Sequence, residues 1–282
     1  MKNLTSIYWI KDEARYIPEF IEFHLLQGFD HFIFYDNKSI DNLTEIIFPY
    51  IESGLAEIRY YPDDLTSSKN FWVINHCVNE QKGKTKWLHF HALDERLYCP
   101  SGENIVEFLK QYENYGGVSV GWYLFNSNDH ISRPEGLITD NFTKYSDDPS
   151  CHIKTIIQPE KSISTIGTPH NFIFNETYAV DENFNIVTTS FNPLHYSLNK
   201  IVLHHYHTLS REEFNIKQNK GLLDHNLEDV PRPNQEFYWE SSHSEDVTYY
   251  TNNHLSKFSK TIKDNIIKRY ENKLELLQFI NH

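Results

Sequence analysis

The run KDEARYIPEFIEFHLLQGFDHFIFYDNKSIDN, Lys11 to Asn42, reads as one unit of strand, helix, strand and loop, and it leaves few folds open. The preceding SIYWI closes a first short strand, and Lys11-Asp12-Glu13 follows it directly. From Pro18 the apolar side chains Phe20, Ile21, Phe23, Leu25 and Leu26 recur at helical spacing, with Glu19, Glu22 and Gln27 between them. Pro18 suits a first helical turn, where its missing N–H would have no partner, and Gly28 stands where a helix stops. Phe32 to Tyr35 makes a second strand, with the polar cluster Asp36-Asn37-Lys38-Ser39-Ile40-Asp41 at its carboxyl end. Open α/β sheets take ligands at that edge, so this cluster is the expected seat of a nucleotide.

The rest of the chain continues the α/β pattern. A helix is expected from Leu43 to Ser53, a strand from Ala56 to Tyr61, a helix around Asn70 to Glu80 and a strand over WLHFHAL, Trp87 to Leu93. After a turn at Pro100-Ser101-Gly102 come a short helix to Tyr112 and a strand from Gly117 to Phe125. Asn175 to Asn192 reads as an irregular polar insertion with two short strands. Lys257 to Phe279 reads as one amphipathic helix carrying Lys260, Lys263, Lys268 and Arg269. The expectation is that it packs on the domain, with peripheral membrane contact as a lesser role.

Composition narrows the partners. At 282 residues one α/β domain is possible. A net charge of −13, from 26 Lys plus Arg against 39 Asp plus Glu, argues against nonspecific binding to nucleic acid or anionic membrane. Cys77, Cys99 and Cys151 form neither a CxxC nor an even framework, which predicts reduced thiols. Neither a secretory leader nor a run near the ~18 apolar residues of a membrane span is visible, so a cytoplasmic protein is expected, with the inner face of a membrane as a second place of action.

Two further stretches carry polar chemistry. In WLHFHALDERLYCP, Trp87 to Pro100, the two-residue period of a strand puts His89 and His91 on one face and Asp94 on the other. Two hydrogen-bonded histidines on a buried strand are expected there. Four histidines fall within Leu194 to His207, yet neither a cysteine pair nor HExxH accompanies them, which argues against zinc. Ser210 to Glu213 reads as an N-cap and first helical turn.

Taken together, the Lys11–Asn42 run, WLHFHALDER, GVSVGWYLFNSNDHISRPEGL and HHYHTLSREEFNIKQNKG resemble glycosyltransferase family 92 and its bacterial relatives. The resemblance reaches from the N-terminus to about Gly221. It implies a GT-A (Rossmann-like) fold, α/β with a mixed central sheet flanked by helices. Residues 1–221 would be the catalytic domain, with 1–100 the nucleotide-binding half and 101–221 the donor-sugar and acceptor half. Residues 222–282 would be a loop-rich segment and a C-terminal helix packed on the same domain.

The resemblance also implies an inverting transfer of a sugar, galactose by family analogy, from a UDP-sugar to a glycan or glycolipid hydroxyl in surface polysaccharide or glycoconjugate assembly. Glu13, Asp36 and Asp41 would hold the nucleoside end, Lys154 the diphosphate and Trp122 the sugar. Asp94 and His205 would bind Mn2+ (or Mg2+), and Asp246 or Asp129 would be the general base. The sequence departs from the family pattern at Ala92, in place of the first Asp of the DxD motif, and at Arg96, in place of an aromatic residue. It departs again at Leu209, in place of a basic residue, and at Asn126 and Asp129, in place of two glycines. Ala92 and Leu209 leave two alternatives open: a degenerate homologue serving as a glycan- or partner-binding module, and a metal-independent transferase in which basic side chains replace the cation.

Overall fold

The first strand, β1 (Lys2–Ile10), buries both faces: Leu4, Tyr8 and Ile10 have no exposed surface, nor have Thr5, Ser6 and Ile7. That is the environment of a central parallel strand. The computed structural model describes residues 1–62, 65, 68–146, 150–166, 168–191, 196–220, 236–243 and 248–281. Helix α1 (Ile17–Leu26) starts with a proline in its first turn and ends before Gly28, whose φ of +100° needs a glycine. It returns the chain to β2 (His31–Asp36), parallel to β1. Helix α2 (Leu43–Glu52), β3 (Ala56–Tyr60), α3 (Lys69–Glu80) and β4 (Thr85–Phe90) repeat the pattern and set β3-β2-β1-β4 in parallel.

Strand β4 stops at Phe90, three residues short of the expected Leu93. The Glu95 side chain accepts the Ala92 N–H at 2.8 Å and the Ala92 carbonyl accepts the Glu95 N–H at 3.0 Å, so the chain turns and Asp94 lies off the strand. The alternation that would have placed Asp94 opposite His89 and His91 therefore does not extend to it.

Past the turn run β5 (Glu95–Tyr98), α4 (Ile105–Leu109), β6 (Gly117–Leu124), the short α5 (Ile138–Asn141), β7 (Lys144–Ser146) and β8 (Ile153–Ile157). Strand β8 lies antiparallel between β4 and β6, making the sheet mixed, as expected. A hairpin of β9 (Ser162–Thr165) and β10 (Phe172–Phe174) stands apart. Strands β11 (Ala179–Val180) and β12 (Ile186–Val187) are the two short strands expected in the insertion, and they extend the sheet beyond β6. Strand β13 (Val202–His205) is parallel to β6 and antiparallel to β5.

Helix α6 (Arg211–Asn219) follows, then α7 (Glu236–Ser241) and β14 (Tyr249–Thr251), which pairs with β7. The last two elements put regular structure into the segment expected to be loop-rich. The expected single C-terminal helix is two, α8 (Ser256–Arg269) and α9 (Leu274–Asn281). The break comes at Tyr270, whose ring is buried near Tyr50 and whose hydroxyl donates to the Ile46 carbonyl, so the chain bends to seat it.

The sheet separates two apolar layers. Phe20, Phe23, Ile46, Tyr50, Ile262 and Ile266 from α1, α2 and α8 pack on the face that carries Leu4, Tyr8 and Phe34. Val73, Ile74, Cys77 and Val78 of α3 pack on the other, over Ile7, Ile33 and Leu88. Cys77 and Cys99 are buried thiols, neither of them in a disulfide. Among the described residues no helix is long and apolar enough to cross a membrane.

Candidate functional site

The turn after β4 is held from three sides. Below it, the Lys154 ammonium lies 3.0 Å from Glu95 and 3.3 Å from the Phe90 carbonyl, in a pair that is almost wholly buried. Beside it, Arg96 has no exposed surface; its Nη1 donates to the carbonyls of Leu93 (2.8 Å) and Glu95 (3.0 Å). Its Nη2 stands 3.2 Å from Glu19, whose carboxylate accepts the N–H groups of Ile138 and Thr139 at the start of α5. From above, the Asp94 carbonyl accepts the Tyr206 N–H at 2.8 Å. Buried ion pairs such as these pay a desolvation cost, and their return is a single geometry for the turn.

Asp94 is 8% exposed. Lys217 of α6 places its Nζ 2.6 Å from Asp94 Oδ2, and His205 places its Nε2 3.6 Å from Oδ1. Burial alone would raise the pKa of this carboxyl, but Lys217 and then His205 outweigh it and hold it well below the ordinary carboxylate range. Asp94 is thus ionised at any physiological pH. The β5–β13 register explains His205: it sits opposite Glu95, one residue from Asp94. The β13–β6 register brings Trp122 alongside, with its ring edge-on to His205 at 5.7 Å. His152 stacks on the same indole at 5.9 Å, and His170 lies at 5.6 Å. Burial, with Lys154 adding to it, pushes His170 down to about 4, so this wall is uncharged there.

A divalent ion would find two donors here. Asp94 Oδ1 is buried and lacks a hydrogen-bond partner among the described residues, and His205 presents Nε2 to it at 3.6 Å. One hard oxygen and one imidazole suit Mn2+ better than Mg2+. Among the described residues no group of three His, Cys, Asp or Glu stands together, so an ion held by this pair would need the rest of its shell from a ligand or solvent.

Beside Asp94 lies a cavity of about 210 Å3 lined by Glu13, Asp41, Asp94, Arg133, Lys217 and Lys220. The loops after β1 and β2 are laced together over it. Asp12 accepts the Ile40 N–H at 2.7 Å, its own N–H reaches Ser39 Oγ at 3.0 Å, and Asp41 accepts the Ala14 N–H at 2.9 Å. Asp36 is tied into the same loop, accepting the Ser39 N–H at 3.0 Å, but it does not line the cavity. Burial raises the pKa of Asp41, whose second oxygen lacks a hydrogen-bond partner among the described residues. Glu13 faces Lys220 at 3.6 Å.

Of the sequence-predicted residues, then, Asp94, His205 and Trp122 come together, and Glu13 and Asp41 share a cavity with Asp94. Lys154 sits beneath the turn. Asp129 points outward, its side chain 78% exposed and 2.5 Å from Lys144. Its φ of +65° explains why a glycine pattern tolerates Asp there. Asp246 lies outside the described residues. His89 and His91 share a face as expected, with rings 3.9 Å apart. His91 bonds Ser6 Oγ at 2.9 Å, but His89 departs from expectation: neither of its nitrogens has a hydrogen-bond partner among the described residues.

Sequence reasoning missed the cations. The signal was there in α6: Glu213, Lys217 and Lys220 follow one another at helical spacing, which makes one stripe. Ser210 and Glu213 form a reciprocal capping box, and Glu213 also takes Tyr16 Oη and, at 3.3 Å, Arg133, which aims the stripe at the turn.

The sequence model of glycosyltransferase family 92 matches residues 4–275. The chain is 24% identical over 171 residues to a family 92 protein of Oryza sativa subsp. japonica, covering 59% of this chain and 29% of that one. It is 26% identical over 123 residues to the galactan beta-1,4-galactosyltransferase GALS3 of Arabidopsis thaliana, covering 41% and 24%. It thus spans less than a third of the length of these relatives. Among solved structures, S. aureus TarS 1-349 aligns at 11% identity with a TM-score of 0.38, over 56% of this chain and 47% of that chain.

Proposed function

The chain belongs to glycosyltransferase family 92, and on that premise we propose that it moves a sugar from a UDP-sugar to a hydroxyl of a glycan or glycolipid acceptor. The observation that carries this reading is Asp94: an ionised, buried carboxylate on a braced turn at the carboxyl edge of the sheet, opening on a cavity that the nucleotide-side loops also line. Galactose is the proposed sugar, supported by the similarity to a galactosyltransferase.

In this reading Glu13 and Asp41, which line the cavity, hold the nucleoside, Asp36 fixes their loop through the Ser39 N–H, and Trp122 stands on the sugar side behind His205. Asp94 and His205 hold the metal, which when bound would supply positive charge beside the departing diphosphate. The acceptor oxygen bonds to the anomeric carbon, the bond to the diphosphate oxygen breaks with its electron pair staying on UDP, and the acceptor proton passes to a carboxylate. Asp246 is the proposed base, because Asp129 is turned to the surface against Lys144. Lys154 is better suited to fixing the turn than to touching phosphate, being bound to Glu95. The cytoplasm is the proposed place of action.

Calorimetric titration with UDP, with and without Mn2+, tests the reading. Binding that Mn2+ strengthens is expected for the wild type, with that strengthening lost in Asp94→Ala and with UDP-galactose turned over. Absence of UDP binding under either condition overturns it. Ala92 favours a second reading, a silent binding module: acceptor binding with intact UDP binding and no turnover of any UDP-sugar would select it.

A further inference from the structure

Helix α6 delivers a second source of positive charge to the Asp94 turn. We infer that Lys217, supported by Lys220, forms a built-in anion subsite for the donor diphosphate, so that the nucleotide docks whether or not a divalent ion is present. The inference rests on the UDP-sugar reading above and concerns which of the chain's own residues take the phosphates.

Four observations carry it. The Lys217 ammonium lies between Asp94 Oδ2 (2.6 Å) and the His207 carbonyl (3.3 Å). An ammonium has three donors, and two are taken among the described residues, which leaves one for a ligand. The side chain is 22% exposed and lines the cavity it would have to serve. Lys220, one turn along the same face, lines that cavity too, with its ammonium 2.7 Å from the Asp12 carbonyl. Finally, the ammonium is locally fixed: the capping box and the Arg133 and Tyr16 contacts to Glu213 hold the helix that bears it. Little reorganisation is left to oppose binding.

The experiment measures UDP affinity by calorimetry in EDTA and in Mn2+ for wild type, Lys217→Met, Lys217→Arg and the uncharged pair Lys217→Met/Asp94→Asn. A charge-assisted hydrogen bond predicts that wild type retains measurable affinity in EDTA and that Lys217→Met loses roughly ten- to a hundredfold of it, with Lys217→Arg retaining most. The double variant should lose the EDTA affinity as well. It leaves no buried unpaired charge, so a thermal melt near that of the wild type separates loss of binding from loss of fold. Two outcomes overturn the inference while leaving the UDP-sugar reading intact: binding in Mn2+ that vanishes in EDTA, or EDTA affinity unchanged in Lys217→Met. Absence of UDP binding in every condition overturns both.

Discussion

Arg96 shows what one side chain can fix. Its guanidinium is fully buried, tied to two carbonyls of the Asp94 turn and paired with Glu19, which is 4% exposed and caps α5. Removing one member of a buried pair leaves an unsolvated charge, so Arg96→Met should cost about 3–5 kcal/mol in a urea titration, and the double variant Arg96→Met/Glu19→Gln clearly less. A cost for the single variant under about 1 kcal/mol, within the range of an exposed pair, would show that the pair is not structural. Histidines give a second prediction at this scale. Burial depresses the pKa of His24, His89 and His91 well below the ordinary value, and pushes His204 down to about 3. Such groups are neutral when folded but take up protons when unfolded. Stability is therefore fully present above about pH 6.5, the unfolded value, and falls below it at up to ~1.4 kcal/mol per pH unit for each group. Urea midpoints at pH 7.5, 6 and 5 should fall steadily; a flat series would refute the sign.

Elements were legible where their signals are local. Helix α1 runs from Ile17 to Leu26 because Pro18 and Gly28 bracket a helical stripe, and β2 follows where Phe32 to Tyr35 put it. A Cβ at Gly28 would come within 2.3 Å of the Asn104 side chain, in a backbone conformation that L residues avoid. Gly28→Ala should lower stability by about 1 kcal/mol or more, read as a shift in thermal midpoint. Legibility failed where a side chain decides the backbone. Strand β4 ends early because Glu95 captures the Ala92 N–H, and the C-terminal helix breaks because Tyr270 seats against α2. Neither event has a periodicity. Asp94 and His205 are expected from resemblance, but Lys217 reaches Asp94 only when α6 meets a turn 123 residues away, which no local pattern announces. The capping box links the two scales: Ser210→Ala should cost about 1 kcal/mol and also weaken UDP binding, because it loosens the helix carrying Lys217. Loss of stability with unchanged UDP affinity would separate the cap from the site.

At the scale of the molecule, helices on both faces bury a mixed sheet, and the candidate site lies where its parallel half meets the strands that cross over from the second half. The ion pair of Lys263 with Asp140, at 2.6 Å, ties α8 to α5, and Arg269 with Glu22, at 2.7 Å, ties it to α1. Shortening the chain to end before Ser256 should therefore lower the thermal midpoint by several degrees rather than trim an inert tail.

The pairing of β5 with β13 also has a meaning in time. The first half of the chain can collapse through local β-α-β contacts, but β13 must close a loop of about a hundred residues, and closures of that length come late. His205 and Lys217 arrive with it or after it. On the proposed UDP-sugar reading, a partly folded chain can thus hold a native layer of β1 to β4 and still be blind to UDP. In refolding, nucleotide affinity should appear in the slowest phase, after helical circular dichroism has recovered, and so act as a clock for the last step of folding.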